Sequence, residues 1–423
     1  MPLPRAASAC LDRQAFAGLA ARLARDLDAD LLLSGAGWPG EEACLAGLGP
    51  LAEHVPNPRD PKPGLRAFLA AHPGPALGFL TYPLGLDLRG VPSAKPRALP
   101  PGLFRKYAAL VSWRHSDGRL DILGADPGLT RELARLAAAP PPLPAWNPPP
   151  KAPAAASLDR DGYMRAVEQT LEHIRDGDAY QCTMSIRFGR DFPARLGPDL
   201  LLRLWLRRPA PFMAWFRHGP LALLSVSPER FLRLDGGRAL SQPIKGTASC
   251  LEDDPALAAA LRASPKEDAE LSMIVDLMRN DLSQNCAPGS VRVDRHKAVF
   301  RVDRLLQMHS DVSGALRPGR DGADLLLDAF PPGSVTGCPK RRALEIMERL
   351  EPHCRDIFCG CFAVLRENGD LDSSVAIRTA LLDARSDRLD FFAGSGIVVD
   401  SRPELEYEET VAKADNFLRL EDL

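Results

Sequence analysis

The amino-acid sequence predicts an α+β fold in which the sheets are largely antiparallel. Segments with strand-like and helix-like patterns come in mixed groups along the chain, without the regular strand–helix alternation of a doubly wound fold. The chain has 423 residues, of which 45% are hydrophobic and 26% charged, enough for one large core or two lobes. The longest apolar runs, such as 221–226, are far shorter than the roughly 20 residues that cross a bilayer. We therefore expect no membrane span.

Charge and cysteine usage exclude several classes of protein. The net charge is −2, so no basic surplus indicates a nucleic-acid partner. The N-terminus lacks the apolar stretch of a secretory signal, which predicts a cytoplasmic location. Nine cysteines are scattered along the chain, and this odd number favours reduced, buried thiols over a disulfide framework.

A proline-rich segment divides the chain. Residues 139–153 contain eight prolines, which cannot continue a helix or a central strand and favour an extended conformation. We predict a linker at this segment, between an N-terminal lobe at 1–138 and a C-terminal domain at 154–423.

Hydrophobic periodicity predicts the elements in chain order. Before the linker it predicts helices at 14–27 and 64–71 and strands at 31–34, 76–82, 107–113 and 120–123. After the linker it predicts helices at 161–175, 265–279, 323–329, 340–350 and 406–418. Strands are predicted there at 182–188, 213–216, 222–226, 231–234, 358–365, 374–382 and 388–393. The clearest pattern is that of helix 161–175, whose apolar residues recur every three or four positions.

Two matching pairs of carboxylates stand on predicted helices. Glu267 and Glu270 are three residues apart on one helix, and Glu406 and Glu409 are three apart on another. This spacing puts both side chains of a pair on one helix face. If the two faces met, they would form a site suited to Mg²⁺, which binds one or two carboxylates together with water and substrate. Solvated helix faces are the alternative that spacing leaves open.

A lysine and two glycine-rich segments are further candidates for function. Lys245 lies between small or apolar neighbours in QPIKGT, just after a predicted strand. A lysine in an apolar pocket can act as a nucleophile, whereas an ordinary loop lysine does not. The glycine-rich turns predicted at 332–340 and 393–396 could bring backbone N–H groups close to a small anion, or could be structural turns only.

Seven stretches resemble, in order, the motifs of the chorismate-utilising enzyme family that includes component I of anthranilate synthase and of aminodeoxychorismate synthase. They cover nearly all of 160–417 and read DGYMRAVEQTLEHIRDGDAYQ (161–181), SPERFL (227–232), QPIKGT (242–247), AELSMIVDLMRND (269–281), PPGSVTGCPKRRALEIMERLEP (331–352), SSVAIRT (373–379) and AGSGIVVDSRPELEYEET (393–410). The N-terminal segment is similar only in short pieces at 32–35 and 78–82.

The resemblance implies a fold and a site. The fold would be two large antiparallel sheets packed as a sandwich and flanked by helices, with the site in the C-terminal domain. Glu270 and Glu409 would bind Mg²⁺, with Glu267 and Glu406 beside them, and the metal would hold the ring carboxylate of chorismate. Glu229 would be the general acid that protonates the departing C4 hydroxyl. The residues that would line the substrate are Gln181, Gly246, Thr247, Gln307, Thr336, Arg378, Gly394, Ser395, Gly396 and Lys413.

Two positions distinguish among the reactions of the family. Members that make isochorismate or salicylate have a lysine where Gln181 stands, so the resemblance implies a reaction with ammonia. PIKGT at 243–247 is similar to aminodeoxychorismate synthases, whereas anthranilate synthases generally read PIAGT. Lys245 would then attack C2 of chorismate and ammonia would enter C4, on the route to 4-aminobenzoate and folate. An anthranilate synthase and a catalytically idle chorismate-binding paralogue are the alternatives.

The ammonia would come from another protein. Glutaminases need a reactive cysteine on a tight turn, typically with glycine on both sides, and neither Cys44 nor Cys338 has this setting. We therefore expect a separate glutaminase subunit as partner, besides the substrate chorismate.

The chain departs from the family pattern at several places, two of which concern ligand contacts. Gln307 stands where the family usually has histidine near the C4 hydroxyl, and His309 lies two residues on, on the same face if the segment is a strand. Either side chain could supply the hydrogen bond. Ser34 resembles part of the tryptophan-binding element of anthranilate synthases, but 36–44 depart from it, so we expect a strand-end serine without tryptophan inhibition.

Overall fold

The computed structural model describes residues 3–35, 43–149, 153–249, 254–302, 305–420 and 423. Within these ranges the chain is a mixture of helices and strands, and every strand pairing is antiparallel. The predicted α+β class is therefore confirmed.

The strands follow in chain order. Those that precede 230 are β1 (Arg5–Cys10), β2 (Asp30–Leu33), β3 (Ala43–His54), β4 (Ala76–Leu80), β5 (Gly102–Arg114), β6 (Arg119–Gly124), β7 (Ala155–Ala156), β8 (Gln181–Asp191), β9 (Phe212–His218) and β10 (Leu221–Ser227). The later ones are β11 (Arg230–Asp235), β12 (Arg238–Gln242), β13 (Ile244–Ser249), β14 (Arg292–Val302), β15 (Leu305–Ala315), β16 (Gly337–Cys338), β17 (Cys361–Leu365), β18 (Leu371–Val375), β19 (Thr379–Asp383) and β20 (Arg388–Ile397).

The helices lie between these strands. They are α1 (Arg13–Asp26), α2 (Pro61–Ala71), α3 (Tyr82–Leu88), α4 (Pro127–Ala138), α5 (Arg160–Arg175), α6 (Gly197–Arg207), α7 (Pro255–Ala263), α8 (Pro265–Ser283), α9 (Gly322–Ala329), α10 (Lys340–Leu350), α11 (Pro403–Lys413) and α12 (Asp415–Leu418). Single 3₁₀ turns occur at Ala194–Leu196 and Gly333–Val335.

The strands form two rows that share β5. One row runs β5–β3–β2–β9–β10–β19–β20–β8, with β6 and then β1 beside the second half of β5. The other runs β5–β4–β17–β18–β11–β12–β15–β14, and β13 extends the pairing of β15 beyond the end of β12. The long strand β5 is thus the seam between the two rows.

The two rows pack face to face around an aromatic cluster. Phe79 on β4 lies with its ring centroid 6.0 Å from that of Phe216 on β9. The Phe216 ring is in turn 5.7 Å from that of Phe362 on β17. These rings are buried and bridge strands of different rows, so the sandwich that the resemblance implied is confirmed.

The N-terminal and C-terminal segments build these rows together. Strand β2 pairs with β9, and β4 pairs with β17, so strands from both sides of the proline-rich segment are directly hydrogen bonded. Residues 139–149 contain neither helix nor strand, whereas 150–152 lie outside the described residues. The boundaries at 138 and 154 stay a prediction.

Local sequence explains where the two glutamate-bearing helices begin. Ser264 caps α8 by accepting a hydrogen bond from the backbone N–H of Glu267, and Pro265 occupies the first turn. Helix α11 likewise has a proline at its start, and Glu404 and Glu406 in its first turn complement the positive end of the helix dipole. Glu267 and Glu270 therefore lie near the start of α8, and Glu406 lies in the first turn of α11 with Glu409 one turn later.

Two elements that the sequence predicts as continuous are each divided into two in the structure. The strand predicted at 374–382 is two strands, β18 and β19, because Arg378 between them has φ +48°, a left-handed conformation that interrupts the extended backbone. The helix predicted at 406–418 breaks after Lys413 into α11 and α12. Among the helices that the structure describes, none combines the length and apolar character that crossing a membrane requires.

Candidate active site

Strands β8 and β20 form the floor of the candidate site. The glycine-rich turn predicted at 393–396 is wrong, because these residues continue β20, which pairs with β8 along its length. Glycine is required here for another reason. A Cβ atom at Gly396 would lie 2.8 Å from Gln181 Nε2 and 3.0 Å from Lys245 Nζ, so these two side chains occupy the space above the glycine.

Lys245 reaches this floor from β13. The pairing of β13 with β15 contains a bulge between Lys245 and Thr247, and Gly246 within it has φ +77°, which favours glycine. The lysine side chain is 16% exposed, and its Nζ lies 3.6 Å from Glu270 Oε2. Lys245 thus lies in a strand rather than after one, and its amine is beside a glutamate instead of in solvent.

Two buried amide side chains, both expected to line the substrate, do not use all their hydrogen-bonding capacity. Gln181 is fully buried, and neither its amide nitrogen nor its amide oxygen has a hydrogen-bond partner among the described residues. The Oε1 atom of Gln307, on β15, is also buried and likewise has no hydrogen-bond partner among the described residues. Because buried polar groups in folded proteins are nearly always bonded, these atoms are suited to receive a ligand or an ordered water.

Glu229 lies between β10 and β11 and is almost fully buried. Burial raises the pKa of Glu229 to about 7, although a hydrogen bond from Ser334 and the positive charges of Lys245 and Lys413 act to lower it. A carboxyl group with this pKa carries a proton over much of the neutral range. It can therefore donate that proton to a leaving group, as a general acid must.

The first carboxylate pair lies beside β13. Glu270 is next to the amine of Lys245. A Cβ atom at Gly246 would lie 3.1 Å from Glu267 Oε2, so the absence of a side chain there leaves room for this carboxylate. Both carboxylates of α8 therefore border the strand that carries the lysine.

The second pair lies beside β20. Glu406 is buried and accepts a hydrogen bond from Ser401 at 2.7 Å. Glu409 forms a 2.6 Å ion pair with Lys413, whose Nζ also donates to the carbonyl oxygen of Gly394 at 3.2 Å. The charges of Lys245, beside Glu270, and of Lys413, paired with Glu409, both act on Glu229.

These carboxylates fit a magnesium ion by donor chemistry. Within the described ranges no three His, Cys, Asp or Glu side chains are grouped closely enough to hold a metal by themselves. Mg²⁺ does not require such a group, because it commonly takes one or two protein carboxylates and completes its shell with water and substrate oxygens. Glu270 and Glu409 offer carboxylates of this kind, and Glu267 and Glu406 could act through water.

Two residues expected to line the substrate have other contacts. The Ser395 hydroxyl bonds to Tyr163 on the helix side of β20, so only the Ser395 backbone can face a substrate beside Gly396. The Thr336 hydroxyl donates to the carbonyl of Pro332 at 2.9 Å, which fixes the loop before β16. The side chain of Thr247 lies outside the described residues.

Arg378 occupies the break between β18 and β19. Its positive φ is sparsely populated for a residue with a side chain, and such strain concentrates at functional sites. The Arg378 carbonyl accepts a hydrogen bond from Val226 N at 3.1 Å, so the strained residue is tied to the end of β10, close in sequence to Glu229.

The structure separates the roles of Gln307 and His309. Both lie on β15, where Gln307 pairs with Thr247 and His309 pairs with Ile244. The Nε2 atom of His309 is 3.3 Å from Asp311 Oδ1, and its ring packs edge-to-face on Phe300. His309 is engaged in these contacts, whereas Gln307 keeps a buried carbonyl oxygen for a ligand.

Two site residues were not identified from the sequence. Ser334 hydrogen bonds to Glu229, and Tyr163 bonds to Ser395. Both lie inside stretches that resemble family motifs, and this was the sequence feature that could have identified them. Their roles depend on contacts between residues that are distant in sequence, which periodicity and spacing do not reveal.

Neither Cys44 nor Cys338 has the lowered thiol pKa that favours a nucleophile. Burial raises the pKa of the Cys44 thiol to about 12 and also raises that of Cys338. All cysteines in the part that the structure describes are free, which confirms the expectation of reduced thiols for these residues. Ser34 directly follows β2, and 36–42 lie outside the described residues.

Comparison with known proteins agrees with this geometry. Residues 45–419 match the family described as chorismate binding enzyme. The chain is 35% identical over 384 residues to anthranilate synthase component 1 of Thermus thermophilus, covering 87% of this chain and 81% of that protein. It is 35% identical over 362 residues to aminodeoxychorismate synthase component 1 of Salmonella typhimurium, covering 82% and 76%. The solved structure of anthranilate synthase component I from Streptococcus pneumoniae matches with a TM-score of 0.78 at 25% identity, covering 92% of this chain and 94% of that one.

Proposed function

Because the chain belongs to the family of chorismate binding enzymes, we propose that it aminates chorismate at C4 to give 4-amino-4-deoxychorismate. The observation that carries the proposal is the position of the Lys245 amine. It is largely buried, beside Glu270 and above Gly396, next to the unpartnered amide of Gln181. A lysine held in this way can bond to a substrate that lies on the β8–β20 floor.

The first half of the reaction forms a covalent adduct. After the Lys245 ammonium group has lost a proton, its nitrogen attacks C2 of the ring, the two conjugated double bonds shift, and the bond from C4 to its hydroxyl oxygen breaks. Glu229 supplies the proton with which this hydroxyl leaves as water. The pKa of Glu229 supports this role, because the carboxyl group still holds a proton near pH 7.

The second half reverses the electron shift. Ammonia adds to C4, the double bonds return to their original positions, and the bond between C2 and the lysine nitrogen breaks. The free amine of Lys245 is restored and the pyruvyl group stays on the ring. Two displacements across the conjugated system thus replace one difficult substitution at C4.

Mg²⁺ would be held by Glu270 and Glu409, with Glu267 and Glu406 through water. When bound it would neutralise and orient the ring carboxylate of chorismate. Lys413 and Arg378 supply further positive charge for the substrate carboxylates. The carbonyl oxygen of Gln307 is suited to accept a hydrogen bond from the C4 hydroxyl.

The ammonia would come from a separate glutaminase subunit. The names of both relatives designate a first component, and the raised thiol pKa values of Cys44 and Cys338 do not favour a glutaminase nucleophile at either residue. We therefore expect turnover with free ammonium in the absence of any partner, and none with glutamine alone.

The proposal is tested by incubating the purified chain with chorismate, Mg²⁺ and ammonium. We expect a product that yields 4-aminobenzoate only after an aminodeoxychorismate lyase is added. Lys245→Ala should abolish this product, whereas Lys62→Ala, which removes a surface ion pair with Asp328, should not. Unchanged C4 amination by Lys245→Ala would overturn the covalent step.

Anthranilate formation is the second candidate. The observation that favours it is the equal identity, 35%, to a protein named anthranilate synthase component 1. The same incubation discriminates the two, because anthranilate is fluorescent and appears without a lyase.

A further inference from the structure

A cluster of three hydroxyl groups is buried beneath the site. The Tyr163 hydroxyl, on α5, lies 2.8 Å from the Ser395 hydroxyl on β20 and 2.9 Å from the Thr410 hydroxyl on α11. It also donates to the carbonyl oxygen of Met184 on β8 at 3.3 Å. All three side chains are almost completely buried, which three hydroxyls tolerate because they satisfy one another.

Each partner of Tyr163 is next to residues of the proposed site. Ser395 stands between Gly394 and Gly396, the glycines that face Lys413 and Lys245. Thr410 follows Glu409 directly, one helical turn before Lys413.

Tyr163 is held in place by its own helix and by a neighbouring aromatic ring. Helix α5 is long and well capped by Asp159, and the Tyr163 ring lies 6.0 Å from that of Tyr407 on α11. Burial raises the pKa of the Tyr163 hydroxyl, so it keeps its proton and its role as a donor at any physiological pH. The hydroxyl oxygen of Tyr163 therefore links α5 to both β20 and α11.

We propose that Tyr163 is a positioning residue whose hydroxyl sets the spacing between the carboxylates of α11 and the Gly394–Gly396 floor. This inference rests on the proposed function, in which Glu409, with Glu406 through water, helps Glu270 to hold Mg²⁺ and Lys245 acts above Gly396. The distance from the metal to the attacking amine then depends on how α11 sits against β20. Tyr163 controls that distance without touching substrate or metal.

Removal of the hydroxyl should therefore weaken Mg²⁺ binding more than it harms the fold. Loss of a hydrogen bond of typical net strength corresponds to about a tenfold change in an equilibrium constant. In Tyr163→Phe we expect the dissociation constant for Mg²⁺ and the KM for chorismate to rise about tenfold each. At saturating Mg²⁺ and chorismate, kcat should change by less than about twofold, because the saturated site recovers the same geometry.

The experiment compares Tyr163→Phe and Thr410→Val with Thr170→Val. Thr170 is a matched control, since it lies on α5, is fully buried, and its hydroxyl bonds to the carbonyl of Ala166 in its own helix. Mg²⁺ binding is measured by calorimetry on the unreacted protein, and KM and kcat are measured with ammonium. We expect both cluster variants to bind Mg²⁺ about tenfold more weakly than wild type, and the control to bind as wild type does.

Two outcomes separate this inference from the proposed function. If both cluster variants bind Mg²⁺ as Thr170→Val does, the positioning role is overturned, whatever product the enzyme makes. If they bind more weakly while the wild-type product is anthranilate, the positioning role stands and C4 amination is the part that fails.

Discussion

The Nζ atom of Lys245 lies 3.0 Å from the point where a Cβ atom on Gly396 would stand. The lysine comes from one row of the sandwich and the glycine from the other. The Lys245 amine therefore occupies space that exists only because the opposite strand has no side chain there. This contact connects the motif QPIKGT to the motif AGSG, which lie about 150 residues apart.

Gly396→Ala should reduce activity while leaving the fold intact. The atoms nearest to the added methyl group are the ends of two flexible side chains, those of Gln181 and Lys245, so they would move rather than the backbone. Since a displacement of about 1 Å at a reacting group can cost a factor of 100, we expect kcat/KM to fall about 100-fold. The melting temperature should stay within a few degrees of wild type.

The neighbouring glycine supplies the contrast. A Cβ atom at Gly394 would lie 2.4 Å from the carbonyl oxygen of Met184, a backbone atom that cannot turn away. Gly394→Ala should therefore lower the melting temperature clearly. If Gly396→Ala lowered the melting temperature as much as Gly394→Ala does, the conclusion that movable side-chain ends lie above Gly396 would be wrong.

The pH dependence of kcat should follow Glu229. Its pKa is raised to about 7 by burial, so the carboxyl group is protonated below that pH and ionised above it. A general acid acts only in its protonated form, and kcat should therefore fall as pH rises through about 7. Rate measurements at saturating ammonia and chorismate test this, and a kcat that keeps rising above pH 8 with no such limb would argue against the role.

Ser334→Ala should move that limb to higher pH. The hydrogen bond from Ser334 stabilises the ionised carboxylate and so lowers the pKa of Glu229. Without it the acid would keep its proton to a higher pH. Ser290→Ala is a suitable control, because the Ser290 hydroxyl bonds to backbone carbonyls in a turn outside the site. A limb at the same pH in wild type and Ser334→Ala would refute the prediction.

A buried ion pair beneath β8 should dominate local stability. Glu351 and Arg355 are both nearly inaccessible, with a 2.7 Å contact between Oε1 and Nη2, and Arg355 also donates to the carbonyl of Thr183. Arg355→Met would leave the Glu351 charge unpaired and lower the free energy of unfolding by about 3–5 kcal/mol. Denaturant titration measures this, and Arg355→Met/Glu351→Gln should recover part of the loss.

The same pair gives a pH dependence of stability. Burial opposes ionisation of Glu351, but the charge and hydrogen bonds of Arg355 prevail, and its pKa is lowered. A lowered pKa contributes stability above the unfolded-state value, and this contribution is lost as pH falls through the folded-state value. Wild type should therefore lose stability in acid below the ordinary pKa of glutamate. Arg355→Met should lose less stability over that pH interval, because the variant lacks the ion pair that lowers the pKa of Glu351 in the wild type.

Most of the secondary structure follows from local patterns. Helices such as α5 and α10 have an amphipathic period and were predicted within a residue or two. Strands such as β14 and β15 were missed, because β14 contains a run of consecutive charged and polar residues at 294–297 and β15 includes polar residues that only tertiary packing buries. The break at Arg378 was also missed, since no local propensity puts a left-handed arginine between two apolar runs.

By itself the sequence determined the fold class and the two glutamate pairs, and it predicted Lys245 as the reactive lysine, because helix periodicity and motif order are properties of short segments of chain. Only the tertiary structure decided what surrounds that lysine. The empty space above Gly396, the hydrogen bond from Ser334 to Glu229 and the hydroxyl cluster of Tyr163 each join residues from distant segments. Burial and pairing between such segments set the pKa of an acid and the space beside an amine, and neither is a property of residues that are neighbours in sequence.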